Sequence, residues 1–100
     1  MYKVKISKTA RADLMGIMGY IALDNPKRAE SFVQEMLNMA KSILSSFPLA
    51  GRVASGSRRV LVYGGYYVIY KINEERGEVV LSRVINPANY TAYKNLINFE

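Results

Sequence analysis

The chain contains no cysteine and no histidine. Without cysteine, neither a disulfide nor a thiolate metal site can supplement the core. Without histidine, the usual proton shuttle at neutral pH and the commonest metal ligand are both missing. Acid–base chemistry would fall to Lys, Tyr, Glu or Asp with a shifted pKa, or to arginines that stabilise charge. No metal and no cofactor is expected. No apolar run approaches the roughly 20 residues of a membrane span. The first residues, MYKVKISK, alternate in character instead of forming the apolar stretch of a signal peptide. The expectation is a soluble, cytoplasmic protein with no membrane partner. Acidic residues are also scarce, 8 against 14 Lys and Arg, which leaves a net charge of +6 and a pI near 9.7. Such an excess favours an anionic partner, a nucleic acid or an acidic protein.

What is present fits one domain over residues 1–100, because two independent cores need a longer chain. Half the residues are apolar, enough for a packed core. Tyr2, Val4 and Ile6 alternate with Lys3, Lys5 and Ser7, a short strand with one apolar and one basic face. Ala10, Leu14, Ile17 and Ile21 then recur at helical spacing, predicting a helix over Thr9 to Leu23. Gly16 and Gly19 cost that helix about 1 kcal/mol each relative to Ala, a cost that close approach of a neighbouring backbone would offset. Asn25 suits an N-cap and Pro26 the first helical position, where no N–H is required. The second helix runs to about Ser46, and the short link makes the two an antiparallel hairpin. FPLAGR, with Pro48 and Gly51, is a turn. From Arg58 to Ile85 the pattern is strand-like, with Gly64-Gly65 a two-residue hairpin turn and NEERGE a looser one. Pro87 ends the last strand, and NYTAYKNLI reads as a short C-terminal helix. The expected fold is α+β: an N-terminal strand, an antiparallel helix hairpin, then a three-stranded antiparallel meander, with the helices on one side of an antiparallel sheet.

The stretch SRRVLVYGGYYVIYK, residues 57–71, concentrates tyrosines and cations. With Gly64-Gly65 as the turn, Tyr63 pairs with Tyr66 and each step outward alternates faces. Arg59, Leu61, Tyr63, Tyr66, Val68, Tyr70 and Ile72 then share the more apolar face, which belongs under the helices. The tyrosines there bury their rings and keep their hydroxyls at the edge. Arg58, Val60, Val62, Tyr67, Ile69 and Lys71 share the other. That face sets Arg58 opposite Lys71, and like charges so placed call for an anion nearby: a carboxylate such as Glu74, a phosphate, or an acidic partner. Arg52 and Arg83 are expected at the same end of the meander, giving a target- or phosphate-binding set of Arg52, Arg58, Lys71 and Arg83.

Read in order, SKTARADLMGIMGYI, AESFVQEMLNMAKSILSSFPLAGR, GSRRVLVYGGYYVIYKI and VVLSRVINPANYTAY resemble the RelE/ParE superfamily of toxins from bacterial toxin–antitoxin modules. The resemblance covers nearly the whole chain. It rests on Ala10 with Asp13-Leu14, the Phe47-Pro48 to Gly51-Arg52 turn, Arg58, YYVIYKI, and Ser82 to Val84. It implies a toxin held inactive by a cognate antitoxin, acidic and partly disordered, that folds around it. It also implies a toxin–antitoxin complex that binds operator DNA through the antitoxin. Met15, Met18, Met36 and Met39 are adaptable side chains of the kind found on binding surfaces, and so candidate antitoxin contacts; core filling is the other reading.

Two activities divide the superfamily. RelE-like members cut mRNA on the ribosome; ParE-like members are associated with poisoning DNA gyrase. In the nucleases, the segment after the last strand is rich in Arg or His and ends in a tyrosine. Here Asn86, Pro87, Ala88 and Asn89 stand where cations are expected, followed by Tyr90 and Tyr93. A ribonuclease reading would leave Arg58 and Arg83 to hold phosphate and Tyr93 as acid or base, and a tyrosine of pKa near 10 is a poor base at neutral pH. FPLAGR and YYVIYKI also sit nearer the ParE branch. The favoured reading is a ParE-like toxin acting on gyrase. The alternatives are an mRNA endonuclease and a non-toxic module that binds only antitoxin and operator.

Overall fold

Ser7 links the beginning of the chain to its last strand. Its Oγ accepts from the Ala10 N–H at 3.0 Å and donates to the Ser82 carbonyl at 3.0 Å. It therefore caps one helix and pins it to the sheet. The computed structural model describes residues 1–89. The order is β1 (Lys3–Ile6), α1 (Lys8–Ala22), α2 (Pro26–Ser46), β2 (Arg52–Ser55), β3 (Arg58–Tyr63), β4 (Tyr66–Asn73), β5 (Glu78–Ile85) and a 3₁₀ turn over Pro87–Asn89. The expected C-terminal helix, with Tyr90 and Tyr93, lies outside the described residues.

The predicted helices form within a residue of their expected starts. Asn25 Oδ1 accepts from the Arg28 N–H at 3.1 Å with Pro26 in the first turn, as its sequence position required. The hairpin register is also as expected: Tyr63 opposite Tyr66, Arg59 opposite Tyr70 and Arg58 opposite Lys71. Both turn glycines have positive φ, 56° and 84°, which a two-residue turn of this hand needs and L side chains resist. Leu61, Tyr63, Tyr66, Val68, Tyr70 and Ile72 face the helices and pack against Leu14, Met36 and Leu44. On the opposite face Val60, Ile69 and Ile85 form a smaller buried cluster with Ala54 and Tyr67.

Three expectations need correction. Among the described residues the sheet is five-stranded and mixed, in the order β1-β5-β4-β3-β2. β1 runs parallel to β5, pairing Lys3 with Glu78 through Ile6 with Leu81, so the sheet is not purely antiparallel. The meander has four strands, because Arg52–Ser55 adds β2 beyond β3. RVAS has no alternation to announce it, and a bulge between Val53 and Ser55 breaks its ladder. Tertiary contacts hold it in place: the Tyr70 hydroxyl donates to the Pro48 carbonyl at 2.7 Å and accepts from the Gly51 N–H at 2.8 Å. Arg59 donates to the Gly51 carbonyl at 2.8 Å. The third correction concerns Gly16 and Gly19. A Cβ at either would meet nothing within 4 Å, so no neighbouring backbone among the described residues approaches them.

The glycines therefore divide by position. A Cβ at Gly51 would lie 2.6 Å from Tyr70 Oη and 2.7 Å from the Val60 carbonyl oxygen. Gly51→Ala is expected to destabilise by about 1–3 kcal/mol. Gly16→Ala and Gly19→Ala should each stabilise by about 1 kcal/mol, with no clash to oppose the gain in helix propensity. Urea denaturation of the three variants at low protein concentration checks both signs.

Candidate functional site: the outer face of the sheet

With both helices packed on one side, the other side is a face that combines the buried cluster of Val60, Ile69 and Ile85 with the exposed side chains of Lys3, Lys5, Arg52 and Lys71. The register arranges it in rows across the strands. One row holds Arg52, Val60, Ile69 and Arg83; the next holds Arg58, Lys71, Val80 and Lys5. A third holds Asn73, Glu78 and Lys3. Beyond the first row lie Val62, Tyr67 and Ile85. Arg52, Arg58, Lys71 and Arg83, singled out from the sequence, thus share one face in two adjacent rows. Arg52 and Arg83 are three strand spacings apart, about 14 Å at ~4.8 Å each.

Arg83 is engaged by a carboxylate of α1. β1 ends at Ile6, opposite Leu81, so among the described residues no strand continues along that edge of β5 beside its last residues, which pair with β4 on the other edge. Asp13 of α1 fills that place: Oδ2 accepts from the Val84 N–H at 2.9 Å and from Arg83 Nε at 2.8 Å, and Oδ1 accepts from Arg83 Nη2 at 3.3 Å. The carboxylate thus replaces a strand carbonyl and engages the guanidinium with both oxygens. Arg83 serves the α1–β5 junction. Arg52 and Lys71 are exposed and Arg58 is half-buried. Shallow depressions flank this region. One of about 180 Å³ is lined by Arg52, Ala54, Val60, Val62 and Tyr67. Another of about 660 Å³ is lined by Lys71, Asn73, Glu74, Glu75 and Ser82. Glu74, the carboxylate suggested as a neighbour for Lys71, lies at the rim of the second.

Lys3 and Lys5 join this face, and the set named from sequence left them out. Their alternation marked a basic strand face, but only the parallel pairing with β5 brings it beside Lys71. Lys5 Nζ meets Glu78 at 2.7 Å and Arg76 Nε meets the same carboxylate at 3.4 Å. The Lys5 hydrogen bond, helped by the charges of Lys5, Arg76 and Lys3, holds the Glu78 carboxyl below its usual range against opposing desolvation. The methionines scatter. Met36 is only 1 % exposed and fills the core, and Met18 packs against that core. Met39 is half-buried. Met15 is 70 % exposed. As a surface contact residue Met36 is corrected: its side chain is interior. Tyr93, the candidate acid or base, lies outside the described residues. Among the described residues, no three His, Cys, Asp or Glu side chains converge where they could hold a metal ion. None of their helices is long and apolar enough to cross a membrane. Chemically, the face offers fixed positive charge on a rigid sheet, suited to binding an anionic surface.

Residues 4–88 match the family model described as the ParE toxin of the type II toxin–antitoxin system, parDE. The chain belongs to the ParE toxin family. It is a RelE/ParE-superfamily toxin of a toxin–antitoxin system. Among solved structures, this ParE-family chain is similar to the chromosomal ParDE system of P. aeruginosa, at 21 % identity and a TM-score of 0.75. That match covers 86 % of this chain and 96 % of the other. It is similar to the RelBE2 toxin–antitoxin complex of Mycobacterium tuberculosis at 26 % identity and a TM-score of 0.64, covering 87 % of this chain and 92 % of the other. The isolated E. coli RelE toxin shares the fold at 12 % identity and a TM-score of 0.54, over 96 % of this chain and 99 % of the other. No curated protein matches the chain.

Two predictions follow the geometry. Asp13→Ala removes the acceptor that the Val84 N–H and Arg83 share and should cost about 1–3 kcal/mol in chemical denaturation. The lowered Glu78 carboxyl contributes stability that is complete above the unfolded carboxylate pKa of about 4 and is lost as pH falls through the folded value. Glu78→Gln should therefore flatten the acid limb of the pH–stability curve and leave its neutral-to-alkaline shape unchanged.

Proposed function

We propose that this chain is a ParE-like toxin that inhibits DNA gyrase, and with it replication, using the basic sheet face to engage its target. The reading is supported first by the ParE model spanning residues 4–88. The observation that carries it over mRNA cleavage is the engagement of Arg83 by both oxygens of Asp13. A cation held by a carboxylate in this way is a poor stabiliser of the charge that builds on a reacting phosphate. Arg52 and Lys71, exposed on the face beside half-buried Arg58, offer charge for recognition, with Lys3 extending it and Lys5 held by Glu78. The same charge suits an acidic, partly disordered antitoxin that covers the face and keeps the toxin silent. Operator binding then belongs to the antitoxin within the complex. With Met36 interior, the antitoxin contacts proposed from the methionines reduce to Met15, Met18 and Met39.

The test measures supercoiling by purified gyrase with increasing amounts of the chain, alongside transcript integrity in cells after induction. Inhibited supercoiling with intact transcripts is expected. Arg58→Glu combined with Lys71→Glu should lower potency at least tenfold, about 1.4 kcal/mol of binding, with an unchanged circular dichroism spectrum. Untouched gyrase together with transcripts cut at codon positions would assign the chain to the mRNA endonucleases. Unaffected gyrase, transcripts and growth would make it a regulatory module.

A further inference from the structure

The solvent side of α1 is the part of the molecule that its own fold explains least. Ala12, Met15, Gly16, Gly19, Tyr20 and Leu23 recur at three- and four-residue spacing, and all six are exposed. Met15 is 70 %, Tyr20 71 % and Leu23 82 % exposed. The outward side of α2, by contrast, carries Lys27, Glu30, Gln34, Asn38 and Lys41, an ordinary solvated face. Gly16 and Gly19 sit at the middle of the α1 stripe with nothing among the described residues within 4 Å of where a Cβ would be. Two glycines weaken the helix there without a contact among the described residues in return.

We infer that this face is a self-association surface on which α1 of a second copy packs antiparallel about a twofold axis at Gly16 and Gly19. The charges favour a second copy. The first turn of α1 carries Lys8 and Arg11 and no acid, its last turn carries no base, and Asp24 follows it. Those charges oppose the helix macrodipole of their own chain. In an antiparallel pair, the basic end of each helix lies alongside the acidic, carbonyl-rich end of the other. Between the ends, from Ala12 to Leu23, the exposed positions carry no charge, so two chains of net charge +6 meet without like-charge repulsion at the contact. Residues related by the axis add to 35: Gly16 sits level with Gly19, Met15 with Tyr20, Ala12 with Leu23 and Arg11 with Asp24. The glycines let the two backbones approach while the larger side chains close around them. The contact is isologous and therefore closed. A stripe on a 15-residue helix, about 22 Å long, makes a small interface and a weak, concentration-dependent dimer. Because α1 lies on the helix side of the sheet, both basic faces of the dimer point outward. This inference stands apart from the identity of the cellular target.

Sedimentation velocity and light scattering of the full chain test it. The expected result is a reversible shift from 11.3 kDa to twice that mass as concentration rises from about 10 µM to about 1 mM. Leu23→Glu should weaken the dimer at least tenfold, with no loss of helicity because the side chain is exposed. Gly19→Ala should raise the denaturation midpoint at low concentration while weakening the dimer, opposite signs that a purely structural glycine would not give. Arg11→Asp or Asp24→Arg alone should weaken association, and the two together should restore it. A chain that stays monomeric up to about 1 mM overturns the inference, and leaves the face to another partner such as an antitoxin helix. So does a dimer indifferent to Leu23→Glu, or a charge-swapped pair no better than its single variants.

Discussion

The parallel pairing of β1 with β5 is the constraint from which the rest of the architecture follows. Four residues at the start of the chain must lie beside the last strand, in register from Lys3–Glu78 to Ile6–Leu81. A parallel neighbour cannot be reached by a tight turn, so the intervening chain crosses over, and the helix pair occupies one face of the sheet. The remaining strands can then fill the sheet only by starting at the far edge and meandering back, which gives the order β1-β5-β4-β3-β2. No helix among the described residues packs on the opposite face, where Val60, Ile69 and Ile85 are buried and Lys3, Lys5, Arg52 and Lys71 are exposed. That pairing also ends early, and the junction it leaves is closed by Asp13, which takes the backbone donor of Val84 and the side chain of Arg83 together.

The consequence for function is a division of labour among cations that the net charge conceals. Arg59 holds the turn before β2 by donating to the carbonyls of Leu49 and Gly51. Arg28 pairs with Glu35 and lies 5.4 Å from the centre of the Phe32 ring, at the end of the aromatic cluster with Tyr63 and Tyr66. Arg83 serves the α1–β5 junction. These charges stabilise the fold. Arg52 and Lys71 are exposed on the outer face beside half-buried Arg58, and Lys3 and Lys5 continue that row of cations on the other side of β5; recognition is their proposed role. A toxin of this family must be bound by an inhibitor as well as by a target. A broad, rigid, positive face suits recognition by acidic surfaces more than the close placement of an acid and a base around one reacting atom.

Tyr70 shows how one residue connects the two faces. Its ring is fully buried under the helices. Burial pushes its hydroxyl pKa up against the smaller opposing effects of the Gly51 hydrogen bond and Arg59, so it stays a neutral donor and acceptor. Holding Pro48 and Gly51 at once, it fixes where the chain leaves α2 and so where β2 begins. Arg52, one residue further on, is thereby delivered to the outer face.

The sequence by itself determined whatever depends on neighbours close along the chain. Helical spacing of Ala10, Leu14 and Ile17, the Asn25-Pro26 start of α2, and the Gly64-Gly65 turn are local physics. The turn alone set the register that puts Arg58 opposite Lys71 and sorts the tyrosines by face. Only the tertiary structure decided what depends on partners far away in the chain. β1 has the same alternation whether it pairs parallel or antiparallel, so the position of Lys3 and Lys5 beside Lys71 was invisible. RVAS has no pattern of its own and becomes a strand because Tyr70 and Arg59 hold the turn before it. Asp13 and Arg83 are 70 residues apart, and nothing in either segment announces that one neutralises the other. Periodicity records which side of an element is apolar; it does not record which distant element that side, or that charge, will meet.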